Sequence, residues 1–184
     1  GVAGTLTIAN NSIVSFAPSG GAVTLTLNAA GTTLDIQAGS ALTINGRNAP
    51  GNNRMSLLFA TGAGKTGTIA GVLNINVAGN NDEGIFNSAN STSTVTGSLF
   101  NNGGTIISTT ANLTFSSGGT YQHVIDGGTI PVATWNAASN CNISGITANY
   151  PAGLDNQTLG NLTWNCAAQT VSNTPGNIVI SGNL

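Results

Sequence analysis

The chain has 184 residues, of which 4% are charged, and its formal net charge at pH 7 is −2. An ordinary soluble domain has about a quarter charged residues. Nucleic acids and anionic membrane surfaces are bound by clustered lysine and arginine, and the whole chain holds three such residues. We therefore expect no nucleic-acid partner. Membrane insertion is not expected either, because every apolar run is shorter than the roughly 18 residues of a membrane helix.

Glycine, asparagine, serine and threonine make up about half of the sequence. Such a composition could indicate disorder, but leucine, isoleucine, valine and phenylalanine are interspersed at regular intervals along the chain. These apolar residues are numerous enough to form a core. The sequence therefore predicts one folded domain or one stretch of a repeat array.

The first part of the chain alternates between apolar and polar residues with a period of two, which is typical of short β-strands. Turn-forming glycine, asparagine, proline and serine separate the strands, and no segment shows the periodicity of an amphipathic helix. The predicted strands are Thr5–Ile8, Ser12–Phe16, Ala22–Leu27, Thr33–Ile36 and Ala41–Ile44.

The middle of the chain continues this pattern in the segments Thr68–Val77, Thr94–Phe100, Gly104–Ile107 and Asn112–Phe115. The stretch from Gly97 to Ile106 resembles one corner of a β-solenoid, in which coils turn at glycine and asparagine. We predict an all-β fold and favour a β-solenoid of the parallel β-helix kind. A β-sandwich or jelly roll, which also shows evenly spaced short strands, stays open as the alternative.

Three segments can be distinguished, and we expect them to form one continuous domain. Residues 1–118 form a regular segment of short strands. Residues 119–170 hold both tryptophans, both tyrosines, both cysteines and the single histidine, and are expected to form an aromatic module. Residues 171–184 resume the alternation at Asn177–Ile180 and would supply a further strand or an assembly strand.

Two motifs resemble sites of enzymes. Residues 62–67 match the dinucleotide fingerprint GxGxxG, but a strand follows where that motif needs a helix. His123 and Asp126 are three residues apart without a nucleophile motif, and Asp126-Gly-Gly128 is a turn signal. We therefore predict no catalytic, cofactor-binding or metal-binding residues, and a protein that is not an enzyme.

The two cysteines, Cys141 and Cys166, have no CxxC motif or histidine cluster near them in the sequence. An even number of cysteines in a sequence of this kind fits one disulfide in an oxidising compartment. We therefore predict a bridge between them, with two buried free thiols as the alternative.

Modification and sugar binding are also suggested by the sequence. Six N-x-S/T sequons are candidate glycosylation sites, although a chain so rich in asparagine, serine and threonine produces several by chance. They are Asn10, Asn90, Asn112, Asn142, Asn156 and Asn161.

Four aromatic residues could form a sugar-binding platform, while packing in the core is the commoner role of such sparse rings. They are Tyr121, Trp135, Tyr150 and Trp164.

Thr5-Leu-Thr7 and Thr24-Leu-Thr26 resemble flat ice-binding faces, but this spacing does not persist along the sequence.

The aromatic segment also resembles a known family. Its ordered elements resemble the recurring module of β-strand-repeat surface proteins of the Bacteroidota. The elements are Gly119–His123, Asp126–Pro131, Ala133–Trp135, Cys141–Gly145 and Leu159–Cys166. The resemblance covers about a third of the chain and implies export by a type IX route and an adhesin-like or matrix role, without catalytic residues.

These observations predict a secreted protein of the extracellular space or cell surface. We expect a structural protomer that associates with copies of itself through strand edges into a filament or matrix, and that carries covalent glycans. The alternative function is an adhesin-like module that binds a glycan or a surface.

Overall fold

The computed structural model describes residues 4–77, 82–171 and 176–184. Residues 172–175, which fall in the expected terminal segment, and residues 1–3 lie outside this part. Within it, the chain forms strands and no helix, and the named strands pair in parallel. The protein is thus a parallel β-helix, as the sequence favoured, and the sandwich alternative is wrong.

The first four coils have three strands each. They contain β1 (Leu6–Ile8), β2 (Ile13–Phe16), β3 (Val23–Leu27), β4 (Gly31–Ile36), β5 (Ala41–Asn45), β6 (Met55–Phe59), β7 (Lys65–Ile69), β8 (Val72–Asn76), β9 (Gly84–Asn87), β10 (Thr92–Val95), β11 (Ser98–Asn102) and β12 (Thr105–Ile107).

The following coils have two strands each, and a last strand ends the series. They contain β13 (Leu113–Phe115), β14 (Thr120–His123), β15 (Thr134–Trp135), β16 (Asn140–Ile143), β17 (Thr158–Leu159), β18 (Asn161–Trp164) and β19 (Val179–Ile180).

Each strand pairs with its counterpart one coil away, so the strands form long sheets that run along the helix. A six-stranded sheet has the order β1-β4-β7-β10-β13-β15, and a seven-stranded sheet runs from β2 to β18. A four-stranded sheet, β3-β6-β9-β12, forms the third side and ends at β12. The six- and seven-stranded sheets continue across the segment boundary expected at residue 118, and a two-stranded sheet, β17-β19, lies beyond it.

Glycine at one corner explains where the sequence prediction of strands was wrong. Residues 68–77 and 94–100 were each predicted as one strand, but the chain turns into a different sheet at Gly71 and at Gly97. A Cβ on Gly97 would lie 2.1 Å from the carbonyl oxygen of Gly71, and a Cβ on Gly71 would lie 2.2 Å from that of Ser40. Adjacent coils therefore approach too closely at this corner for a side chain, and the glycine permits the turn.

Inward side chains of successive coils stack in columns that form the core. Each column places a residue above its partner of the previous coil, so the side chains bury one another. One column of the seven-stranded sheet consists of Leu42, Leu73, Leu99, Tyr121, Cys141 and Leu162. A column of the six-stranded sheet consists of Ile8, Ile36, Ile69, Val95, Phe115 and Trp135.

Candidate functional site

His123 lies inside the core, within a chain of hydrogen bonds. Its Nε2 is 2.7 Å from the carbonyl oxygen of Gly127 and its Nδ1 is 2.9 Å from the hydroxyl of Tyr121. A carbonyl only accepts, so Nε2 carries the proton and the Tyr121 hydroxyl donates to Nδ1. The same hydroxyl accepts a bond from Asn101 Nδ2.

This network explains the charge state of its members. Burial lowers the pKa of His123, against the opposing effect of the Gly127 carbonyl. Burial also raises the pKa of Tyr121. The neutral forms of both side chains are therefore favoured, and every bond in the network is consistent with them. The arrangement fixes a polar group within the core and leaves His123 no free nitrogen for acid-base chemistry.

Asp126 lies in a bend where the sequence predicted a turn, and its carboxylate bonds to the next coil. Its Oδ1 accepts hydrogen bonds from the backbone N–H groups of Thr147, Ala148 and Asn149, and its Oδ2 accepts one from the Asn149 side chain. These donors, led by the backbone N–H groups of Asn149 and Thr147, lower the pKa of the carboxyl. Asp126 thus ties one coil to the next, and neither it nor His123 is a hydrogen-bond partner of the other.

The GxGxxG segment, residues 62–67, comprises the end of the turn after β6 and the first three residues of β7. The Nζ atom of Lys65 donates to the carbonyl oxygens of Thr61 and Gly62, and the residue is 7% exposed. The lysine therefore closes its own turn instead of facing a phosphate.

In the described ranges, no three histidine, cysteine, aspartate or glutamate side chains are grouped to hold a metal ion. No helix in these ranges is long and apolar enough to cross a membrane.

The structure corrects the predicted disulfide. Cys141 and Cys166 are both free thiols. Cys141 points inward and is stacked between Tyr121 and Leu162, where burial raises the pKa of its thiol to about 12. Cys166 lies beyond the end of β18, where its Sγ contacts the carbonyl oxygen of Ile143. The two cysteines therefore occupy different places in the coil, and Cys141 serves as an apolar member of a core column.

The sequons differ in how accessible their side-chain amides are. Asn10 and Asn156 are exposed and Asn142 is half-buried, while Asn90 is exposed but donates its Nδ2 to the carbonyl oxygen of Phe59 at 3.1 Å. Asn112 is 8% exposed and donates its Nδ2 to the carbonyl oxygen of Ala89. A glycan is attached at this nitrogen, so the position of Asn112 argues against its modification. Asn161 is half-buried and its Nδ2 donates to Asn140.

The four candidate glycan contacts divide into two pairs. Tyr121 is fully buried and Trp135 is 8% exposed, and both pack around Phe115, with the Trp135 and Phe115 rings stacked at 4.2 Å. These two residues fill the core, so Tyr121 offers no surface to a sugar and Trp135 offers only a small one. Tyr150 and Trp164 are half-buried, and their rings stack with centroids 5.6 Å apart.

Tyr150 and Trp164 line an apolar cleft at the last described coil, which we call the end cleft. Its volume is about 350 Å³. The remaining lining residues are Leu162, Gln169, Ile178, Ile180 and Leu184. Sequence reasoning singled out the two aromatic residues but missed the aliphatic ones, whose only signal was the apolar alternation after residue 177. The end cleft is lined almost entirely by apolar side chains and is the candidate site for a partner.

The outer side of the seven-stranded sheet carries a second regular feature, the asparagine face, formed by Asn45, Asn74, Asn76, Asn140 and Asn161. Two pairs of these side chains bond to each other from coil to coil, and Asn74 donates to the hydroxyl of Thr43. Asn76 donates to Asn45 at 2.8 Å, and Asn161 donates to Asn140 at 3.1 Å. This face therefore uses its polar groups to hold successive coils together.

No known protein family, curated protein or solved structure matches the chain.

Proposed function

We propose that this chain is a structural protein of an extracellular filament or matrix, and that its copies associate end to end through their outermost coils. Glycans on the accessible asparagines would supply the hydration that so few charged residues provide. The observation that carries the proposal is the match between an exposed edge at the first coil and the end cleft at the last.

The first coil presents strand edges and apolar side chains. Strands β1, β2 and β3 are the outermost members of the three long sheets at this end. Ile13 of β2 is 83% exposed, and Val14 and Phe16 are half-buried. An outermost strand also directs backbone N–H and C=O groups away from the sheet, where they can pair with another strand.

The core columns connect this edge to the end cleft. Val14 begins the column that continues through Leu42 to Leu162, and Phe16 begins the column that continues through Ile44 to Trp164. Phe16 of one copy, placed on Trp164 of another, would extend the second column by one step, whereas Leu162 is only 5% exposed and its N–H is already bonded to Asn183. Stacking of this kind is how each coil already buries its neighbour.

The surface chemistry favours such pairing. Charged side chains on edge strands oppose association in many β-proteins, and β2 and β18 contain no charged residue. The edge of β18 is covered at its start, where Leu162 donates its N–H to the carbonyl oxygen of Asn183. The end cleft lies beside the remaining part of that strand, at Trp164.

The test is a charge placed on the proposed contact. We expect the wild-type chain to sediment as species larger than its 18.2 kDa monomer, and Ile13→Asp to sediment as the monomer. Val132→Asp is the matched control, because Val132 is 43% exposed on the side of the helix and outside the proposed contact. A wild type that is monomeric at every soluble concentration, or equal behaviour of the two variants, would contradict end-to-end association.

The second candidate function is an adhesin-like module that binds a glycan in the end cleft. The stacked pair of Tyr150 and Trp164 and the buried, unpartnered hydroxyl of Tyr150 favour it, since a sugar offers both an apolar face and hydrogen-bonding groups. A monomeric wild type retained on a polysaccharide would support this function in place of self-association.

A further inference from the structure

Threonines form two rows on the outer side of the six-stranded sheet. In one row Thr68, Thr94, Thr114 and Thr134 are successive partners in neighbouring strands. In the second row Thr66 is the partner of Thr92. We call the six residues of these two rows the threonine face.

The spacing of the threonine face is set by the fold. The register runs from β7 through β10 and β13 to β15 without an irregularity, whereas the pairing of β4 with β7 contains one. Neighbouring strands lie about 4.8 Å apart, and two residues along a strand span about 6.6 Å. The hydroxyl and methyl groups are therefore repeated at constant intervals in two directions.

The hydroxyls in the middle of this face have no partner within the part of the chain that is described. Thr68, Thr92, Thr94 and Thr114 make no side-chain hydrogen bond there, while Thr134 at the edge donates to the carbonyl oxygen of Thr110. This differs from the asparagine face, whose side chains bond to one another between coils. The free hydroxyls are available to a ligand that is itself periodic.

The face is also without charge. Asp35 precedes Thr68 in its row and borders the face on one side. The neighbouring Lys65 is directed inward and bonded to the carbonyl oxygens of its own turn. Charged groups hold their own hydration shells, so their absence among the six threonines favours an ordered layer of water over the surface.

We propose that the threonine face binds ice. The strand spacing along each row is close to the a-axis repeat of hexagonal ice, so successive hydroxyls can occupy equivalent lattice positions. The methyl groups between them exclude disordered water, and the hydroxyls anchor the ordered layer. A crystalline surface is the ligand that a repeated, uncharged array of this kind fits, since clefts border the array at Thr92 and at Thr134 and not at its centre.

The sequence does not reveal this array because the coils differ in length. The coil from Thr66 to Thr92 is longer than the coil from Thr94 to Thr114. Paired threonines therefore occur at unequal intervals along the chain, although they align in space. The face lies on the side of the helix, away from the end cleft, so ice binding does not depend on the proposed self-association.

The test is the partition of the purified chain into a slowly growing ice crystal, together with the thermal hysteresis of the solution. Thr94 is in the middle of the face, and Thr94→Tyr places a ring where the lattice would lie. Thr163→Tyr is the matched control, because Thr163 is exposed on β18 in the other long sheet. Tyrosine is well tolerated in strands, and circular dichroism checks that both variants are folded.

We expect the wild type and Thr163→Tyr to be enriched in the ice fraction, and Thr94→Tyr to lose at least fivefold in that enrichment. Ile13→Asp, the variant of the end contact, should retain ice binding. Exclusion of the wild type from ice, or equal losses in the two tyrosine variants, would overturn the proposal. Retention on crystalline cellulose together with exclusion from ice would also overturn it and would assign the face to a polysaccharide surface.

Discussion

The two halves of the helix fill the same columns with different side chains. Before β13, the coils have three strands, and the column through Leu42, Leu73 and Leu99 is aliphatic, while the rings of Phe59 and Phe86 pack edge to face in the four-stranded sheet. From β13 onward, the columns contain rings and hydrogen-bonded polar groups, as at Tyr121 and His123. The same backbone geometry therefore accommodates two kinds of core.

The loss of the third strand accounts for the difference, and the coils also shorten along the chain. The bonded pair Thr32 and Thr66 is 34 residues apart, whereas Thr120 and Asn140 are 20 residues apart. The coils after β12 lie beyond the end of the four-stranded sheet, so they have no third strand to contribute stacked apolar side chains. In the coils without a third strand, aromatic rings and polar contacts such as those of His123 and Asp126 stabilise the fold instead.

The largest effect that tests this comparison is the removal of a core ring. Trp135→Ala should lower the free energy of unfolding by about 3–5 kcal/mol, because it empties the space beside Phe115 and Tyr121. Leu73→Ala, in the aliphatic half, should cost about 2–5 kcal/mol. Trp164→Ala should cost less than either, since Trp164 is half-buried in the end cleft.

Chemical denaturation followed by circular dichroism measures these three variants. Equal effects of Trp135→Ala and Trp164→Ala would contradict the division of the aromatic residues into a core pair and a cleft pair.

A smaller effect isolates the polar network of the aromatic half. Tyr121→Phe removes one hydroxyl and leaves His123 Nδ1 and Asn101 Nδ2 without their partner, which should cost about 1–3 kcal/mol for each buried group left unpaired. Tyr150→Phe is the matched control, because its hydroxyl is buried and has no hydrogen-bond partner. That variant should be neutral or slightly more stable in the same denaturation measurement. A larger loss of stability in Tyr150→Phe than in Tyr121→Phe would contradict the hydrogen-bond network of Tyr121, His123 and Asn101.

The dependence of folding stability on pH should also distinguish the half that contains His123 from the half before β13. Since burial lowers the pKa of His123 in the folded chain, the unfolded chain binds a proton first as the pH falls. Stability should be constant above the unfolded pKa of about 6.5 and should decline below it. We expect the thermal midpoint of the wild type to fall between pH 7 and pH 5, and that of His123→Leu to change less. Parallel curves would contradict a neutral, buried His123.

The sequence predicted much of the fold because its local patterns were consistent with one another. The first five predicted strands correspond to β1 through β5, and the favoured parallel β-helix is the observed fold. The splitting of residues 68–77 and 94–100 could not be predicted with certainty, since the need for glycine at Gly71 and Gly97 arises from the neighbouring coil. A contact between coils is not visible in the local sequence.

The candidate site was predicted less completely. Tyr121, Trp135 and Trp164 all occupy inward positions of strands, but Trp164 belongs to the last coil of its sheet and so remains half-buried. Position along the helix, which depends on the register of all earlier coils, decides whether a ring is core or cleft. Because the register of the earlier coils is not visible in the local sequence, the threonine rows were not predicted. For the same reason the predicted pairing of Cys141 with Cys166 was wrong.

Electron microscopy of assembled chains tests the central claim most directly, because it shows which surfaces meet. The account predicts filaments in which copies stack along the helix axis, with β2 of one copy beside β18 of the next. Copies that meet side by side through the asparagine or threonine face, or isolated single rods throughout, would contradict it.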